Sequence, residues 1–246
     1  MGVISRAKED PRLTTLLSEL SGRIKLKYQK SAGQTWGSAL DGQRAVVSYH
    51  RCKEPAAALC HELLHLELQL RGYRRVKIGF STYEPAGRFF SRFLTCVDNE
   101  LQHHKFYPRF VSLGFRPESF YCDADVHTEE YLRHMLKQPV GKLIEVLPDF
   151  FTLIAPGGIM AAQTKMQLLE LFFSINDGQF RGILERIKGI VDFWASSDSL
   201  DDVAVYKEIM LVLQPTPNYS WFGFDVNDRP PTQGFFVDQM FEVDDR

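Results

Sequence analysis

The 246-residue sequence has little net charge, few cysteines and no long apolar run. Its formal charge is −2, so the overall field is not that of a protein which attracts nucleic acid or anionic membranes through total charge. The sequence contains no stretch of about eighteen apolar residues, which argues against a membrane-spanning helix. The N-terminal segment MGVISRAKEDPR is polar, and we therefore expect no secretion signal and a cytoplasmic location.

The four cysteines, Cys52, Cys60, Cys96 and Cys122, include no C-x-x-C pair. In a chain without a secretion signal we expect them to be free thiols. Internal repeats and low-complexity tracts are missing as well, which argues against solenoid and disordered classes. The composition is that of an ordinary globular protein, with 44% hydrophobic and 24% charged residues.

The pattern of apolar and polar residues predicts an α+β protein with a small sheet and a mainly helical C-terminal half. Strands are predicted at 23–29 and 44–50, on either side of a Gly- and Ser-rich loop at 31–41. We expect one side of the 44–50 strand to be unpaired and to bind an extended peptide. Helices are predicted at 54–70, 87–106 and 127–137, with a loop-rich passage at 106–120.

From Val140 onward helices dominate, and they end in an aromatic, extended tail that is split by Arg229-Pro230-Pro231. We therefore predict a core domain over residues 1–140 and a mainly helical region over 141–246. The alternative is that the two form one continuous unit.

The predicted helix at 54–70 contains His61-Glu62-Leu63-Leu64-His65, the pattern H-E-x-x-H. A spacing of four residues places both imidazoles on one helical face. In this pattern the two histidines bind zinc and the glutamate activates a water molecule. We therefore predict a Zn²⁺ site with His61 and His65 as ligands and Glu62 as the general base. The alternative is a pair of core histidines with a solvated glutamate between them.

The predicted helix at 87–106 supplies the candidates for a third ligand. Glu100 is favoured because two histidines and a glutamate form one of the known catalytic zinc sets. His103 and His104 are alternatives, either as ligand, as hydrogen-bond partner of a ligand, or as a donor to the substrate carbonyl. A further alternative is that Glu100 is an ordinary surface residue.

Here the sequence resembles the gluzincin zinc peptidases, through His61-Glu62-Leu63-Leu64-His65 and the downstream Asn99-Glu100. Over residues 20–110 it is similar in particular to the ImmA/IrrE-type bacterial metallopeptidases, which include the CapP-type regulators of CBASS anti-phage operons. The resemblance implies a zincin-like core, made of a small sheet and an active-site helix. It implies zinc bound by His61, His65 and Glu100, with Glu62 as the base. It also implies a regulatory endopeptidase that cleaves a helix-turn-helix transcriptional repressor in a stress or anti-phage response.

Cys96 lies four residues before Glu100, one helical turn away on the same face. Its thiolate is a candidate inhibitory ligand that would occupy the open zinc position until it is displaced, a cysteine switch that the resemblance implies. The alternative is a small core residue. A donor to the transition state is also needed, and the sequence does not choose among the candidates Tyr107, Tyr121, His127 and His134.

A second hypothesis is a binding or regulatory module whose zinc site is structural and whose helical half contacts a protein or nucleic acid. A basic cluster would form a surface for single-stranded DNA, the alternative being a solvated face. Its members are Arg71, Arg74, Arg75, Lys77, Arg88 and Arg92. A third hypothesis, a hydrolase of the deformylase type, ranks low because the Gly-Cys ligand motif of that family is missing.

Overall fold

The computed structural model describes residues 2–33, 35–76, 78–81, 90–121, 129–138, 140–213, 220–223 and 235–236. Helices dominate these residues, and two small sheets accompany them, so the protein is α+β as the sequence predicts. No described helix combines the length and the apolar composition needed to cross a membrane. Among the described residues, Cys52, Cys60 and Cys96 form no disulfide bond, as predicted, while Cys122 lies outside those residues.

Nine α-helices are seen in the described part of the chain: α1 Val3–Lys8, α2 Thr14–Ser21, α3 Pro55–Leu70, α4 Phe90–Ser112, α5 Glu129–Met135, α6 Leu147–Ile154, α7 Ala162–Phe173, α8 Arg181–Ser196 and α9 Asp202–Leu213. The strands are β1 Lys25–Lys30, β2 Gly37–Asp41, β3 Arg44–Tyr49, β4 Ile78–Ser81, β5 Ser220–Gly223 and β6 Phe235–Phe236.

The chain divides into two compact units that interleave along the sequence. The first unit comprises residues 1–72, 102–126 and 156–161, and the second comprises 73–101, 127–155 and 162–246. The sequence predicts a boundary after residue 140 instead, and that boundary stays a prediction.

The sheet of the first unit has the strand order β1-β3-β2. Strand β3 pairs in parallel with β1 and antiparallel with β2, in the registers Lys25↔Arg44 and Leu40↔Ala45. Both edges of β3 are therefore occupied, and the expectation that this strand offers an unpaired edge to a peptide is wrong. The reason is that the 31–41 segment, expected to be a loop, contains β2.

Composition conceals β2, because its Gly-Ser-Ala sequence has low strand propensity. Pairing with β3 compensates for that weakness, and the turn at Asp41-Gly42 closes the hairpin. Gly42 has φ +54°, a left-handed conformation that glycine adopts at little cost. Tertiary pairing thus decides the structure of this segment.

Helix α4 is longer than the sequence predicts, since it continues past Pro108 to Ser112. A proline inside a helix removes one backbone hydrogen bond and usually ends or kinks the helix. Here Phe106 and Phe110, on either side of the proline, are 2% and 0% exposed. We attribute the persistence of the helix to the burial of these two rings, which offsets the lost bond.

In the second unit, α4 and the start of α9 each contribute a buried carboxyl group, Asp98 and Asp202. Asp98 accepts hydrogen bonds from the Tyr73 hydroxyl at 3.1 Å and pairs with the Arg75 guanidinium at 3.1 Å. Asp202, the first residue of α9, is fully buried, and its two carboxyl oxygens have no hydrogen-bond partner among the described residues. Burial, and next the nearby charge of Asp98, raise the pKa of Asp202 from 3.8 to about 8.

This raised pKa predicts a pH-dependent stability. Above pH 4 the folded protein keeps a proton on Asp202 that the unfolded chain releases, so stability falls as pH rises towards about 8 and then levels off. The contribution of this group to the slope is about 1.4 kcal/mol per pH unit. Asp202→Asn should flatten the profile in urea denaturation between pH 5 and 8, whereas Asp201→Asn, at the exposed neighbouring position, should not. Equal slopes in the wild type and Asp202→Asn would contradict the assignment.

Candidate metal centre

Helix α3 is buried around most of its circumference. All residues from Ala57 to Leu66 are buried, and His61, Glu62 and His65 are 5%, 5% and 8% exposed. Helical periodicity places Leu59, Leu63, Leu66 and Leu70 in one stripe. The first three are fully buried and Leu70 is half-buried, so this edge of α3 faces the core. Burial of the opposite edge as well means that the two histidines and the glutamate are enclosed by protein.

Three histidine rings converge in the first unit. The Nε2 atom of His61 lies 3.0 Å from Nε2 of His103 and 3.2 Å from Nε2 of His65. Among the described residues these three histidines form the one group of metal-capable side chains whose ligand atoms lie within 4.8 Å of one another. Histidine nitrogens around a tetrahedral zinc ion, at about 2.05 Å from it, are separated by about 3.3 Å. The His61–His103 and His61–His65 distances are close to that separation, and the third pair lies within 4.8 Å.

The outward-facing nitrogen of each ring has its own partner. His61 Nδ1 lies 2.8 Å from the carbonyl oxygen of Phe120, and His65 Nδ1 lies 2.9 Å from Oε1 of Gln102. His103 Nδ1 lies 3.2 Å from the hydroxyl of Tyr121. Metal-binding histidines characteristically donate their second nitrogen to such acceptors, because the bond fixes the ring and its tautomer.

These partners fix the protonation of the facing nitrogens. The Phe120 carbonyl and the Gln102 oxygen only accept hydrogen bonds, so Nδ1 carries the proton in His61 and His65. Their Nε2 lone pairs then face each other across 3.2 Å, which is repulsive unless a cation lies between them. One proton could satisfy one pair of nitrogens, whereas a metal ion satisfies all three rings. The donor set therefore fits zinc.

A hydrogen-bonded turn positions the Phe120 carbonyl. Glu54, at the start of α3, accepts hydrogen bonds from the Ser119 hydroxyl at 2.6 Å and from Arg116 at 2.7 Å. The Ser119 bond, followed by Arg116, lowers the pKa of the Glu54 carboxyl. These bonds tie the 116–120 segment to the helix that carries His61.

A glycine loop supports the same segment from its other side. The Gly158 amide donates to the carbonyl of Pro117 at 2.9 Å. A Cβ at Gly157 would meet Tyr107 at 2.8 Å and Phe120 at 3.0 Å, and the backbone there has φ +75°. A side chain would therefore displace the residue that orients His61.

Aromatic rings surround the cluster. Phe106 packs edge-on against His61, His65 and His103, with ring centroids 5.3, 4.7 and 5.5 Å apart. Phe120 contacts His61 and His103 as well. Burial, and then the charges of His61 and His104, lower the pKa of His103 well below its usual value. His103 is therefore neutral near pH 7, the form that binds metals.

The third ring is His103, one of the two histidines that the sequence leaves as alternatives to Glu100. Glu100 is 5% exposed and belongs to the second unit, where its charge acts on Lys165. It is not part of the histidine group, and its role as a ligand stays a prediction. His104, next to His103, is half-buried and is also not a member of the group. Sequence reasoning missed Gln102 and the Phe120 carbonyl, and a backbone acceptor leaves no signal in the sequence.

Cys96 is half-buried in the second unit, and its thiol donates to the carbonyl of Pro148 at 3.3 Å. Its inhibitory role stays a prediction. Of the four candidate hydrogen-bond donors to the transition state, Tyr121 contacts Nδ1 of His103, the nitrogen that faces away from the other two histidines. Tyr107 is half-buried and His134 is exposed, while His127 lies outside the described residues.

The predicted basic surface is described only in part. Lys77 and Arg88 lie outside the described residues, and the Arg92 side chain is not described. Of the others, Arg71 and Arg74 are exposed, and Arg75 pairs with Asp98. The surface for single-stranded DNA stays a prediction.

The contact between His65 and Gln102 can be tested by substitution. Gln102→Leu removes the acceptor for His65 Nδ1, so the ring loses its fixed tautomer, and zinc affinity should fall by about 10- to 100-fold. Gln69→Leu is the matched control, because Gln69 also contacts His65 but donates to its backbone carbonyl. Competition with a chromophoric chelator measures both affinities. Equal affinity in the wild type and Gln102→Leu would show that this contact does not orient the ring.

Comparisons of the chain with protein-family models, with curated proteins and with solved structures find no match.

Proposed function

We propose that the protein is a zinc-dependent endopeptidase in which His61, His65 and His103 hold the ion and Glu62 is the general base. The observation that carries the proposal is the grouping of three Nε2 atoms within 4.8 Å of one another, with every Nδ1 engaged elsewhere. When bound there, zinc would supply Lewis acidity and lower the pKa of a coordinated water.

The remaining steps belong to the chain. Glu62 follows His61 directly on α3 and is 5% exposed, so its carboxylate is held in a water-poor environment. There it accepts a proton from the attacking water and later passes that proton to the leaving amine. Phe106 and Phe120 keep bulk water from the imidazoles, which strengthens electrostatic interactions within the site.

The substrate class rests on the resemblance of the H-E-x-x-H segment to ImmA/IrrE-type metallopeptidases. It makes a helix-turn-helix transcriptional repressor the first substrate to test, in a stress or anti-phage response. A regulatory peptidase of this kind acts on one specific protein rather than on unfolded chains in general. The near-complete enclosure of the histidines is compatible with such restricted access.

One observation favours a second function. The three rings are 1–8% exposed, which is typical of a structural metal ion that holds a binding module together. In that case the ion would contribute to folding and the protein would act by binding a partner. Removal of the metal distinguishes the two, because a structural ion is needed for the fold whereas a catalytic ion is needed for turnover.

The test is a cleavage assay before and after metal removal. The zinc-loaded protein is incubated with a candidate repressor encoded beside it, then treated with a chelator and finally reloaded with zinc. The proposal predicts cleavage that is lost on chelation and restored by zinc, while circular dichroism stays that of a folded protein. Unfolding on chelation, with no cleavage by the loaded protein, would favour the structural ion and contradict the peptidase.

A further inference from the structure

Helix α8 in the second unit carries a second apolar face besides the one that it buries. The core face consists of Leu184, Ile187, Val191 and Trp194, all at most 2% exposed. Phe193, which points away from that face, is 73% exposed, and Leu211 on α9 is 47% exposed. A single exposed apolar residue is unremarkable, but these two share one groove.

The groove between α8 and α9 has a volume of about 450 Å³. Its lining includes Arg186, Gly189, Ile190, Phe193, Glu208 and Leu211. Gly189 lies in the interior of α8, and a Cβ there would meet nothing within 4 Å. Glycine inside a helix costs about 0.5–1 kcal/mol relative to alanine, and no internal contact explains it here. Its missing side chain leaves a notch one helical turn before Phe193.

The groove carries one charge of each sign. Arg186 lies on α8 and Glu208 on α9, both are exposed, and neither has an ion-pair partner among the described residues. In a two-fold contact between identical surfaces, a residue i that contacts residue j of the other copy is matched by residue j contacting residue i. It can therefore place Arg186 of each copy against Glu208 of the other.

We propose that this groove is a homodimer interface, in which a second copy of the chain packs its α8–α9 face against the first. Phe193 of each copy enters the notch at Gly189 of the other. Arg186 of each copy forms an ion pair with Glu208 of the other, one pair on each side of the contact. A nucleic acid or an anionic membrane would instead meet the carboxylate of Glu208 among the apolar residues. The interface lies within the second unit and does not depend on the metal centre.

Sedimentation velocity of the whole 246-residue chain over a range of concentrations tests the proposal. The wild type should show a monomer–dimer equilibrium. Phe193→Asp should raise the dissociation constant at least about thirtyfold, as loss of a central aromatic contact does. Met166→Asp is the matched control, since Met166 is also a helical residue of the second unit and is 62% exposed. A wild type that stays monomeric at all concentrations overturns the proposal, whatever else fills the groove.

Charge reversal tests the pairing itself. Arg186→Glu alone and Glu208→Arg alone each place like charges at both ion-pair positions, so each variant should dimerise more weakly than the wild type. An equimolar mixture of the two variants should form a heterodimer with affinity near that of the wild type, because every cross-subunit pair is then of opposite sign. A mixture no tighter than the separate variants would contradict the two-fold arrangement.

Discussion

Glu62→Gln should reduce hydrolysis by about 10²- to 10⁴-fold while the protein keeps its zinc. The amide is nearly the same size as the carboxylate, so the packing of α3 is preserved, but it cannot accept a proton from water. Glu62 does not belong to the group of three histidines that would bind the ion, so the number of zinc ions bound per protein should be unchanged. Single-turnover cleavage together with metal analysis of the same sample measures both quantities.

The matched control is Glu67→Gln on the same helix. Glu67 is half-buried and lies five residues after Glu62, so the substitution makes the same chemical change on α3 away from the rings. It should retain wild-type cleavage. If Glu62→Gln also retains full activity, Glu62 is not the base. If it loses zinc, the loss of activity would say nothing about proton transfer, and the role of Glu62 would have to be assigned to the metal site.

His103→Ala should weaken zinc binding more than about a hundredfold, a larger loss than removal of a residue that only orients a ligand. The reason is that His103 Nε2 lies 3.0 Å from His61 Nε2 and completes the converging set. The variant leaves two nitrogen ligands, which is fewer than the three protein ligands of catalytic zinc sites. Chelator competition, with activity measured in parallel, gives the effect.

Two neighbours on α4 serve as comparisons. His104→Ala removes the adjacent histidine, and Glu100→Gln removes the carboxylate that the sequence favours as third ligand. If His103 is the ligand, both variants should keep affinity within about tenfold of the wild type. A loss confined to Glu100→Gln would instead support the ligand set that the resemblance implies and would contradict the assignment of His103.

The residues of α3 were predictable because the H-E-x-x-H spacing and the leucine spacing both follow from helical periodicity. The third histidine could not be chosen from the sequence. Glu100 and His103 are three residues apart on one helix, so periodicity places them near the same face and cannot separate them. The choice depends on the packing around α4 and on the hydrogen bond between the Tyr121 hydroxyl and Nδ1 of His103.

The sheet shows a different limit of sequence reasoning. Strand β1 alternates Leu26 and Tyr28 with polar residues, and β3 contains the apolar run Ala45-Val46-Val47, so both lie close to their predicted bounds. Strand β2 lacks that pattern and forms because β3 offers it a partner, so neither its existence nor the central position of β3 could be foreseen. Tertiary packing also decides the length of α4. Pro108 would usually end the helix, but the burial of Phe106 and Phe110 offsets the hydrogen bond that the proline removes.

A crystal structure of the zinc-loaded protein, with diffraction data recorded on both sides of the zinc absorption edge, locates the ion and its ligands. We expect a single anomalous peak about 2.0–2.1 Å from Nε2 of His61, His65 and His103. Protein that takes up no metal, or a peak whose protein ligands do not include His103, would refute this metal centre.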